Sequence, residues 1–561
     1  MKTTRIAALS LALALAPITA SAAKPQLDQT SRLPNVLFIV SDDHGWGDLP
    51  SNWDETEVRL PTLNALAAEG ARFPNYHTVP LCGPSRACMF TGQYSTENGM
   101  WRGPGNQPLG SPGYRGIKRD VKTLPEHLSE TGYKTGAFGK WHMGELEGEV
   151  PNDRGFDEFR GFLKGAHPYW IKPGRSKIMH NREPDQTSEG HATELFTQWA
   201  EKFIRKNAAK DEPFFCYLAY NAVHGPLRTD KSKPASAPEA WVKKALDRGV
   251  SFLRSDYVAI LEHMDHNIGR LVDLLEELGI AENTLIVFVS DNGGCTMDEG
   301  AAGGRFPGNN GPFSGGKATT YQGGLNVPFL MNWKGRLPQA VVSDQQTMHC
   351  DIFATLLDAA AIPVPKTNGK NPVRGMSLLP HMLSAGKESI PERSMIFELW
   401  GNIGLRKGAY KLWADVGRDH SPDWNALSAK LKGANLSLFD LNKDVAEKTD
   451  LRTKLPRVYA SLKKELVDHF TDINAEYPGG GNSSDAAKAK PKPSKPTNTP
   501  APNRTSTDQF FKSRDRNGDG AITLEEFIGN PKGRNVPALT KRFKRIDSNG
   551  DGKLRPDELK R

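Results

Sequence analysis

The chain has 561 residues, of which 37% are hydrophobic and 25% are charged, a balance typical of folded proteins with more than one domain. This composition excludes a wholly disordered chain, a collagen and a membrane protein with many spans. The formal net charge of +8 is a modest excess for this length and gives no reason to expect a nucleic acid partner.

The N-terminus has the pattern of a cleavable secretory signal. Lys2 and Arg5 precede an apolar run at 6–16, and the small residues at 20–22 offer a cleavage site. We predict a signal peptide at 1–22 and a periplasmic or extracellular protein. The apolar run is too short to span a bilayer and no later segment is long enough, so no transmembrane segment is expected in the mature chain. Five cysteines would then lie in an oxidising compartment, and an odd number means that at least one of them does not pair with another.

Short apolar runs alternate with amphipathic stretches in the first four-fifths of the chain. The runs NVLFIV (35–40), PFFCYLAY (213–220) and TLIVFV (284–289) predict buried strands, and residues 257–278 have the apolar spacing of a helix that Gly279 ends. This alternation predicts an α/β fold with a large, mostly parallel sheet flanked by helices.

Polar clusters follow the three predicted strands. Asp42 and Asp43 follow the first, His224 lies just after the second, and Asp291 and Asn292 follow the third. Ligand crevices lie beyond the carboxyl ends of parallel strands, so we expect these clusters to converge. Three carboxylates and an amide oxygen suit Ca²⁺, with Mg²⁺ as the alternative, whereas Asp-Asp and Asp-Asn-Gly could also be simple turns.

The segment Cys82-Gly83-Pro84-Ser85-Arg86, followed by Thr91-Gly92, resembles the signature of the sulfatase family. The blocks GKWH (139–142), NAVHGP (221–226) and GKATTYQGG (316–324) look like the family's remaining active-site blocks, and RGMSL (374–378) and LFDL (438–441) extend the similarity. The family signature often ends in Thr-Gly-Arg, whereas this chain has Gln93. Taken alone, Cys82 could equally be a buried thiol or half of a disulfide with Cys88.

The resemblance implies an alkaline-phosphatase-like sandwich. We expect a catalytic domain at 23–385 and a smaller α+β subdomain at 386–477. Residues 478–504, rich in Pro, Gly, Ser and Lys, predict a flexible linker before an all-α module at 505–561.

The resemblance also implies a role for each matched residue. A maturation enzyme would convert Cys82 to formylglycine, whose hydrate is the nucleophile and, with Asp42, Asp43, Asp291 and Asn292, binds the metal. Asp291 would take the nucleophile's proton, and Arg86 would orient the hydrate. Lys140 and Lys317 would hold the sulfate. His224 would protonate the leaving alcohol, and His142 would remove the proton of the second hydroxyl when sulfate is released.

The C-terminal module carries two segments, 515–526 and 547–558, that match the twelve-residue calcium loop of an EF-hand. The predicted ligand positions are Asp515, Asn517, Asp519, Ala521, Thr523 and Glu526 in the first loop, and Asp547, Asn549, Asp551, Lys553 and Glu558 in the second. Arg555 occupies the ninth position of the second loop, so we expect weaker binding there. A dockerin repeat is the alternative, but the final glutamates favour an EF-hand pair.

Three functions are compatible with these patterns. The first is a secreted sulfatase acting on a sulfated carbohydrate, or otherwise on an aryl sulfate. The second is a phosphodiester or phosphonate monoester hydrolase on the same scaffold. The third is a calcium-dependent binding protein whose large domain has lost its activity.

Overall fold

The computed structural model describes residues 33–104, 116–210, 212–225, 227–228, 234–296, 307–417, 424–476, 519, 521–528, 540, 543–544, 547 and 551–555. The chain divides into two compact units, Met1–Gly481 and Asn482–Arg561. The predicted signal peptide at 1–22 and the predicted linker at 478–504 lie outside the described residues. The predicted division of the first unit at residue 385 stays a prediction.

A ten-stranded sheet forms the centre of the first unit. In spatial order its strands are β13 (Val341–Val342), β2 (Ala71–Arg72), β12 (Phe329–Asn332), β11 (Thr284–Ser290), β1 (Asn35–Ser41), β10 (Phe214–Ala219), β4 (Lys134–Lys140), β5 (Glu158–Phe162), β7 (Met179–His180) and β8 (Glu183–Pro184). The five strands from β11 to β5 run parallel, whereas β12, β7 and β8 pair antiparallel with their neighbours. The three strands predicted from apolar runs are confirmed as β1, β10 and β11.

Both faces of this sheet are buried, which explains the continuous apolar runs. Along β1, Leu37 and Ile39 pack into one core, while Val36, Phe38 and Val40 pack into the core on the opposite face. A strand covered on both sides has no polar alternation, so the runs read as wholly apolar.

Helices cover the two faces. The helices of this unit are α1 (Pro61–Ala68), α2 (Cys82–Thr91), α3 (Ser95–Asn98), α4 (Leu124–Glu130), α5 (Ala192–Ala208), α6 (Glu239–Asp247), α7 (Phe252–Glu277), α8 (Gln322–Leu325), α9 (Cys350–Ala359), α10 (Leu379–Leu383), α11 (Trp424–Gly433) and α12 (Pro456–Glu476). Short 3₁₀ turns occupy Trp46–Asp48, Pro151–Asp153 and Ala281–Asn283. Helices α1, α5, α6 and α7 line one core, and α2, α4, α9 and α10 line the other. The predicted helix is α7, which begins after Ser251, earlier than its apolar stripe suggests.

Smaller sheets complete the unit. Three two-stranded pairs are β3 (Tyr76–His77) with β14 (Thr347–Met348), β6 (Trp170–Ile171) with β9 (Gly190–His191), and β15 (Thr367–Asn368) with β16 (Asn371–Pro372). An antiparallel meander of β17 (Met395–Leu399), β18 (Asn402–Lys407), β19 (Tyr410–Asp415) and β20 (Ser437–Asp440) packs with α11 and α12 around a third core. This sheet-and-helix layer has the α+β character predicted for 386–477.

The second unit contains a short antiparallel ribbon. Strand β21 (Ile522–Thr523) pairs with β22 (Lys553–Leu554), and α13 (Leu524–Ile528) follows β21. A small core of Ile522, Phe527, Phe543 and Leu554 holds these segments together. Among the residues described in either unit, no helix is long and apolar enough to cross a membrane.

Candidate active site

The carboxylates after β1 and β11 lie side by side. The two strands are parallel neighbours in register, with Ser41 opposite Ser290, so the residues that follow them meet. The backbone N–H of Asp43 donates to Asp291 Oδ1 at 3.3 Å, and Asn292 Nδ2 donates to Asp43 Oδ1 at 2.8 Å. Asp42, Asp43, Asp291 and Asn292 are all buried. The predicted convergence of these two strand ends is present.

The side chain of Cys82 joins this cluster from the first residue of α2. Ligand atoms of Asp42, Asp43, Cys82 and His224 all lie within 4.8 Å of one another. Asp42 Oδ1 and Asn292 Oδ1 are buried and have no hydrogen-bond partner among the described residues. Buried oxygens of this kind normally have a partner, and hard divalent cations bind carboxylate and amide oxygens. The residues therefore fit a Ca²⁺ or Mg²⁺ ion.

Two lysines neutralise part of the acidic cluster. Lys140 Nζ donates to Asp42 Oδ2 at 2.6 Å, and Lys317 Nζ donates to Asp43 Oδ1 at 2.5 Å. Although burial raises the pKa of Asp42, the charges of Lys140, His224, Lys317 and Arg86 together outweigh it and hold that pKa well below its usual range. Burial and the negative charge of Asp42 raise the pKa of Asp291 to about 6. Arg86, Lys140 and Lys317 together match the formal charge of the three carboxylates, while Asp42 Oδ1 and Asn292 Oδ1 have no partner among the described residues and are available to a cation.

Arg86 links the helix to the strand ends. It lies four residues after Cys82, on the same face of α2. Its Nε and Nη2 donate to Asp291 Oδ2 at 2.9 and 2.7 Å, and its Nη1 donates to the hydroxyl of Tyr217 at 3.0 Å. Both side chains of the Arg86–Asp291 pair are fully buried, so the guanidinium has a single available orientation. Arg86 therefore fixes the position of Asp291.

The two predicted histidines lie on either side of this cluster. Nε2 of His224 is 3.9 Å from Asp43 Oδ2, and its Nδ1 lies 2.6 Å from the carbonyl oxygen of Gly225. Burial and then the charge of Lys317 lower the pKa of His224. His142 follows β4 with φ of 57°, and burial followed by the charge of Lys140 lowers its pKa well below the ordinary value. Both imidazoles are therefore neutral and able to accept a proton.

Residue 165 must be small because of His142. A Cβ at Gly165 would lie 2.7 Å from the His142 ring, closer than carbon atoms pack. No sequence pattern distinguishes this glycine.

Cys82 cannot form the disulfide with Cys88 that its sequence left open. The two residues are six positions apart on α2, which separates their Cα atoms by about 9 Å at a rise of about 1.5 Å per residue. A disulfide requires Cα atoms within about 7 Å. Burial raises the pKa of the Cys82 thiol to about 11, so the unmodified side chain is a protonated, weak nucleophile at neutral pH.

The sequence missed several residues that support the site. The Tyr217 hydroxyl holds Arg86, and Cys295 Sγ lies 3.7 Å from Asp43 Oδ2. Lys411 Nζ donates to Glu447 Oε1 at 2.5 Å and to the Thr320 carbonyl at 2.6 Å. Glu447 Oε2 also accepts a hydrogen bond of 2.6 Å from the backbone N–H of Gln322, so this buried pair holds the loop that carries Lys317. No local pattern marks these residues, because their partners are far away in sequence.

A cavity of about 460 Å³ opens beside His142. Arg102, Lys164, Glu145 and Trp400 contribute to its walls. The guanidinium of Arg102 lies 4.3 Å from the centre of the Trp101 ring, a stacking contact that limits its movement. The cavity combines two cations with an indole surface.

In the second unit, equivalent positions of the two predicted calcium loops pair with each other. Ile522 and Leu554 are partners in the ribbon, and each is the eighth residue of its loop. Backbone N–H groups of Ala521 and Lys553 donate to Asp519 Oδ1 and Asp551 Oδ1, both at 2.9 Å. Thr523 N donates to Glu526 Oε2 at 2.9 Å, and Gly552 N donates to Asp547 Oδ2 at 2.9 Å. The other predicted ligands, Asp515, Asn517, Asn549 and Glu558, lie outside the described residues.

Comparison with known proteins agrees with this α/β fold and acidic site. The model of the sulfatase family matches residues 34–362, and the EF hand model matches 507–528 and 540–561. The chain belongs to the sulfatase family and is a sulfuric ester hydrolase, with an EF-hand domain at its C-terminus.

Relatives of known identity include enzymes that are named for sulfated sugars. The chain is 33% identical over 405 residues to N-acetylgalactosamine-6-sulfatase of Mus musculus, covering 68% of this chain and 72% of that protein. It is 29% identical over 487 residues to arylsulfatase G of Homo sapiens, covering 78% and 87% of the two chains.

Solved structures share the fold. The structure of Ps i-CgsB in complex with k-i-k-neocarrahexaose has a TM-score of 0.66 and 26% identity, covering 79% of this chain and 94% of that chain. The phosphonate monoester hydrolase SpPMH from Silicibacter pomeroyi has a TM-score of 0.55 at 19% identity, covering 78% and 96%, so it shows a likeness of fold alone.

Proposed function

We propose that this sulfatase acts outside the cytoplasm on a sulfated carbohydrate, through a formylglycine made from Cys82 and a divalent cation, with Ca²⁺ as the first choice. The observation that carries the proposal is the buried cluster of Asp42, Asp43, Cys82 and His224, whose ligand atoms lie within 4.8 Å of one another. Lys140 and Lys317 border the same cluster.

The residues that would hold the cation are Asp42, Asp43, Asp291 and Asn292. Bound there, the cation supplies positive charge for sulfate oxygens, and the hydrated aldehyde supplies a hydroxyl nucleophile together with a second hydroxyl. A thiol with a pKa near 11 supplies neither, which supports the conversion of Cys82.

The basic side chains stabilise the charge that develops on sulfate. The Nζ groups of Lys140 and Lys317 reach the acidic cluster from different segments, so a sulfate seated against it would accept hydrogen bonds from both lysines. Arg86 keeps Asp291 in place, and Asp291 accepts the proton of the attacking hydroxyl.

The two histidines move protons on opposite parts of the reaction. His224 Nε2 protonates the alcohol oxygen that leaves sulfate, with Lys317 beside it as a second donor. Because burial and the charge of Lys317 lower the pKa of His224, the imidazole is neutral in the resting site and takes up a proton on Nε2 before it transfers one to the alcohol. His142 accepts the proton of the second hydroxyl at residue 82 when sulfate is released, and the lowered pKa of His142 keeps it neutral for that purpose.

The cavity beside His142 supports a carbohydrate substrate. Trp400 offers an indole surface of the kind on which sugar rings stack, and Arg102 and Lys164 offer charge to further sulfate or carboxylate groups. The relatives' names, N-acetylgalactosamine-6-sulfatase among them, support the same substrate class. Secretion follows from the predicted signal peptide, and a formylglycine-generating enzyme is the partner that maturation requires.

The first experiment is the mass of the peptide that contains Cys82, from protein made in its native host and not alkylated beforehand. We expect the mass of the aldehyde, and an unmodified thiol in active protein would contradict the proposal. The matched control is Cys216→Ala, which removes another buried thiol and should leave turnover intact, whereas Cys82→Ala should abolish it.

The second experiment separates sulfate from phosphate chemistry. The release of one alcohol is measured from its sulfate ester and from its phosphodiester. We expect a higher kcat/KM for the sulfate ester. A preference of several orders of magnitude for the phosphodiester would overturn the proposal.

The third experiment tests the sugar cavity. Arg102→Ala should raise KM for a sulfated oligosaccharide by about tenfold and leave KM for a small aryl sulfate unchanged, because only the larger substrate reaches that cation. The exposed Arg119→Ala is the control. Equal effects of Arg102→Ala on both substrates would contradict a role in carbohydrate recognition.

A further inference from the structure

A second cluster of reactive side chains lies away from the proposed active site. Cys88 is on α2, Cys350 is the first residue of α9, and His349 immediately precedes it. The two Sγ atoms and a ring nitrogen of His349 all lie within 4.8 Å of one another. All three residues have no exposed surface.

The contacts within this cluster are specific. Cys350 Sγ lies within 4.8 Å of both Cys88 Sγ and a ring nitrogen of His349. His349 Nδ1 lies 3.1 Å from the backbone carbonyl oxygen of His77, which places the proton on Nδ1 and leaves the lone pair on Nε2. Nε2 is buried and has no partner by strict hydrogen-bond geometry among the described residues. The imidazole is therefore oriented to accept a proton.

We infer that Cys88 and Cys350 form a disulfide bond in the mature protein, with His349 as the proton acceptor for its formation. The two Sγ atoms lie within 4.8 Å of each other across the interface of α2 and α9, so bond formation requires the sulfurs to approach to about 2 Å. The inference goes beyond the proposed function, since it concerns thiols that take no part in hydrolysis.

The chemistry balances with an external disulfide as the oxidant. The thiol of Cys350 loses its proton to solvent, and the thiolate attacks one sulfur of that disulfide, forms a mixed disulfide and releases one external thiolate. Cys88 then gives its proton to His349, attacks the sulfur of Cys350 and releases the second external thiolate. Two protein thiols lose two electrons and two protons, and the two external thiolates take up two protons from solvent and become thiols. Because Cys88, His349 and Cys350 have no exposed surface in the folded chain, exchange with the external disulfide precedes closure of α9 onto α2.

The other cysteines do not compete for this pairing in the folded chain. Cys82 is about 9 Å from Cys88 along α2, Cys216 lies within β10, and Cys295 contacts Asp43. With Cys82 reserved for formylglycine, four cysteines remain. The pairing of Cys88 with Cys350 leaves Cys216 and Cys295 as single thiols. The pair would close a loop of about 260 residues and tie the helix that begins at Cys82 to α9.

The direct test is a peptide map of the wild-type protein purified from an oxidising compartment. The protein is denatured at low pH, alkylated without reduction and digested. We expect the Cys88 and Cys350 peptides to be linked, and Cys216 and Cys295 to be alkylated. Alkylation of both Cys88 and Cys350 would overturn the inference, as would a link from either to another cysteine, or a stoichiometric metal ion in native protein that keeps both thiols reduced.

The role of His349 is tested by the rate of oxidation. Reduced, denatured protein is refolded with glutathione disulfide, and the linked peptide is measured over time. We expect His349→Gln to slow its appearance about tenfold at pH 7 and less at pH 9, where hydroxide can accept the proton in place of the imidazole. His381→Gln is the matched control. Equal rates for wild type and His349→Gln at pH 7 would contradict the role.

The structural effect is read from thermal unfolding. Cys88→Ala and Cys350→Ala should each lower Tm by several degrees, and the double variant should lower it no further, because either substitution removes the same bond. The Cys216→Ala variant should still yield the linked peptide that contains Cys88 and Cys350. Additive losses in the double variant would indicate two independent packing defects instead of one bond.

Discussion

The acidic sites of the two units are built in opposite ways. In the first unit, Asp42 and Asp291 come from strands about 250 residues apart and meet because β1 and β11 are neighbours in register. In the second unit, each predicted calcium loop draws its ligands from twelve consecutive residues. A site of the first kind depends on the whole core, whereas a site of the second kind depends on local backbone geometry. Substitutions should therefore affect the two sites independently.

The largest expected effect separates the sites by chemistry. Lys140→Met removes a buried charge beside Asp42 and should lower kcat by about 10²–10³-fold, because that charge stabilises the sulfate in the transition state. Calcium binding by the EF-hands should not change, as isothermal titration would show. Lys134→Met, at the other end of β4, is the control. Unchanged turnover in Lys140→Met would remove this lysine from the catalytic set.

The second prediction tests how the distributed site depends on remote packing. Glu447→Gln leaves the buried Lys411 ammonium without its carboxylate and should lower the free energy of unfolding by about 3 kcal/mol. It should also reduce kcat about tenfold, because Glu447 and Lys411 hold the loop that carries Lys317. Glu465 is the partly exposed partner of Lys407, and Glu465→Gln should change neither the free energy of unfolding nor kcat. Denaturant unfolding and steady-state kinetics would measure both, and full turnover in Glu447→Gln would show that the loop needs no such support.

The third prediction addresses the local site. Glu526→Gln changes the last ligand of the first calcium loop and should weaken its calcium affinity by roughly tenfold or more, because the neutral amide replaces a bidentate carboxylate. Sulfate ester hydrolysis should stay at the wild-type rate. Glu525→Gln is the neighbouring control. A parallel loss of turnover would mean that the two sites are coupled.

The smallest expected effect is a loss of folding stability at low pH. It should be confined to the first unit. Burial lowers the pKa of His191 and of His263 to about 4, below the value of about 6.5 in an unfolded chain. Both groups are neutral in the folded protein. Their contribution to the free energy of unfolding is therefore complete above about pH 6.5 and is lost as the pH falls towards about 4. We expect each histidine to contribute a loss of up to about 2 kcal/mol between pH 7 and pH 5.

The matched variants for this effect are His263→Phe and His180→Phe. Unfolding monitored at pH 7 and pH 5 should show a smaller pH dependence for His263→Phe and an unchanged one for the exposed His180→Phe. The second unit has no histidine in residues 482–561, so its own transition should not move for this reason. An equal pH dependence in all three proteins would contradict the prediction.

The sequence predicted the framework of the active site because strand ends converge by a general rule. The apolar runs located β1, β10 and β11, and the polar residues that follow them supplied Asp42, Asp43, His224, Asp291 and Asn292. Lys140 and Lys317 came from resemblance to the sulfatase family, since a single lysine after a strand has no distinguishing pattern.

The remaining contacts were out of reach for a physical reason. The Tyr217 hydroxyl meets Arg86 only because β10 lies beneath α2, and Lys411 meets Glu447 only because the meander packs against the loop at 316–324. Such pairs are set by side-chain packing between distant segments. The pairing of Cys88 with Cys350, likewise, depends on how α2 meets α9.

Every residue of α2 is buried, including Cys82 at its start. If Cys82 is converted as proposed, the oxidising enzyme cannot bind the helix in the folded protein, so conversion would occur while the segment is still extended. Each molecule would then have one opportunity, and a copy that folds with its thiol intact would stay inactive. The specific activity of a preparation would therefore depend on the fraction of chains converted before folding as well as on the turnover rate of the converted chains.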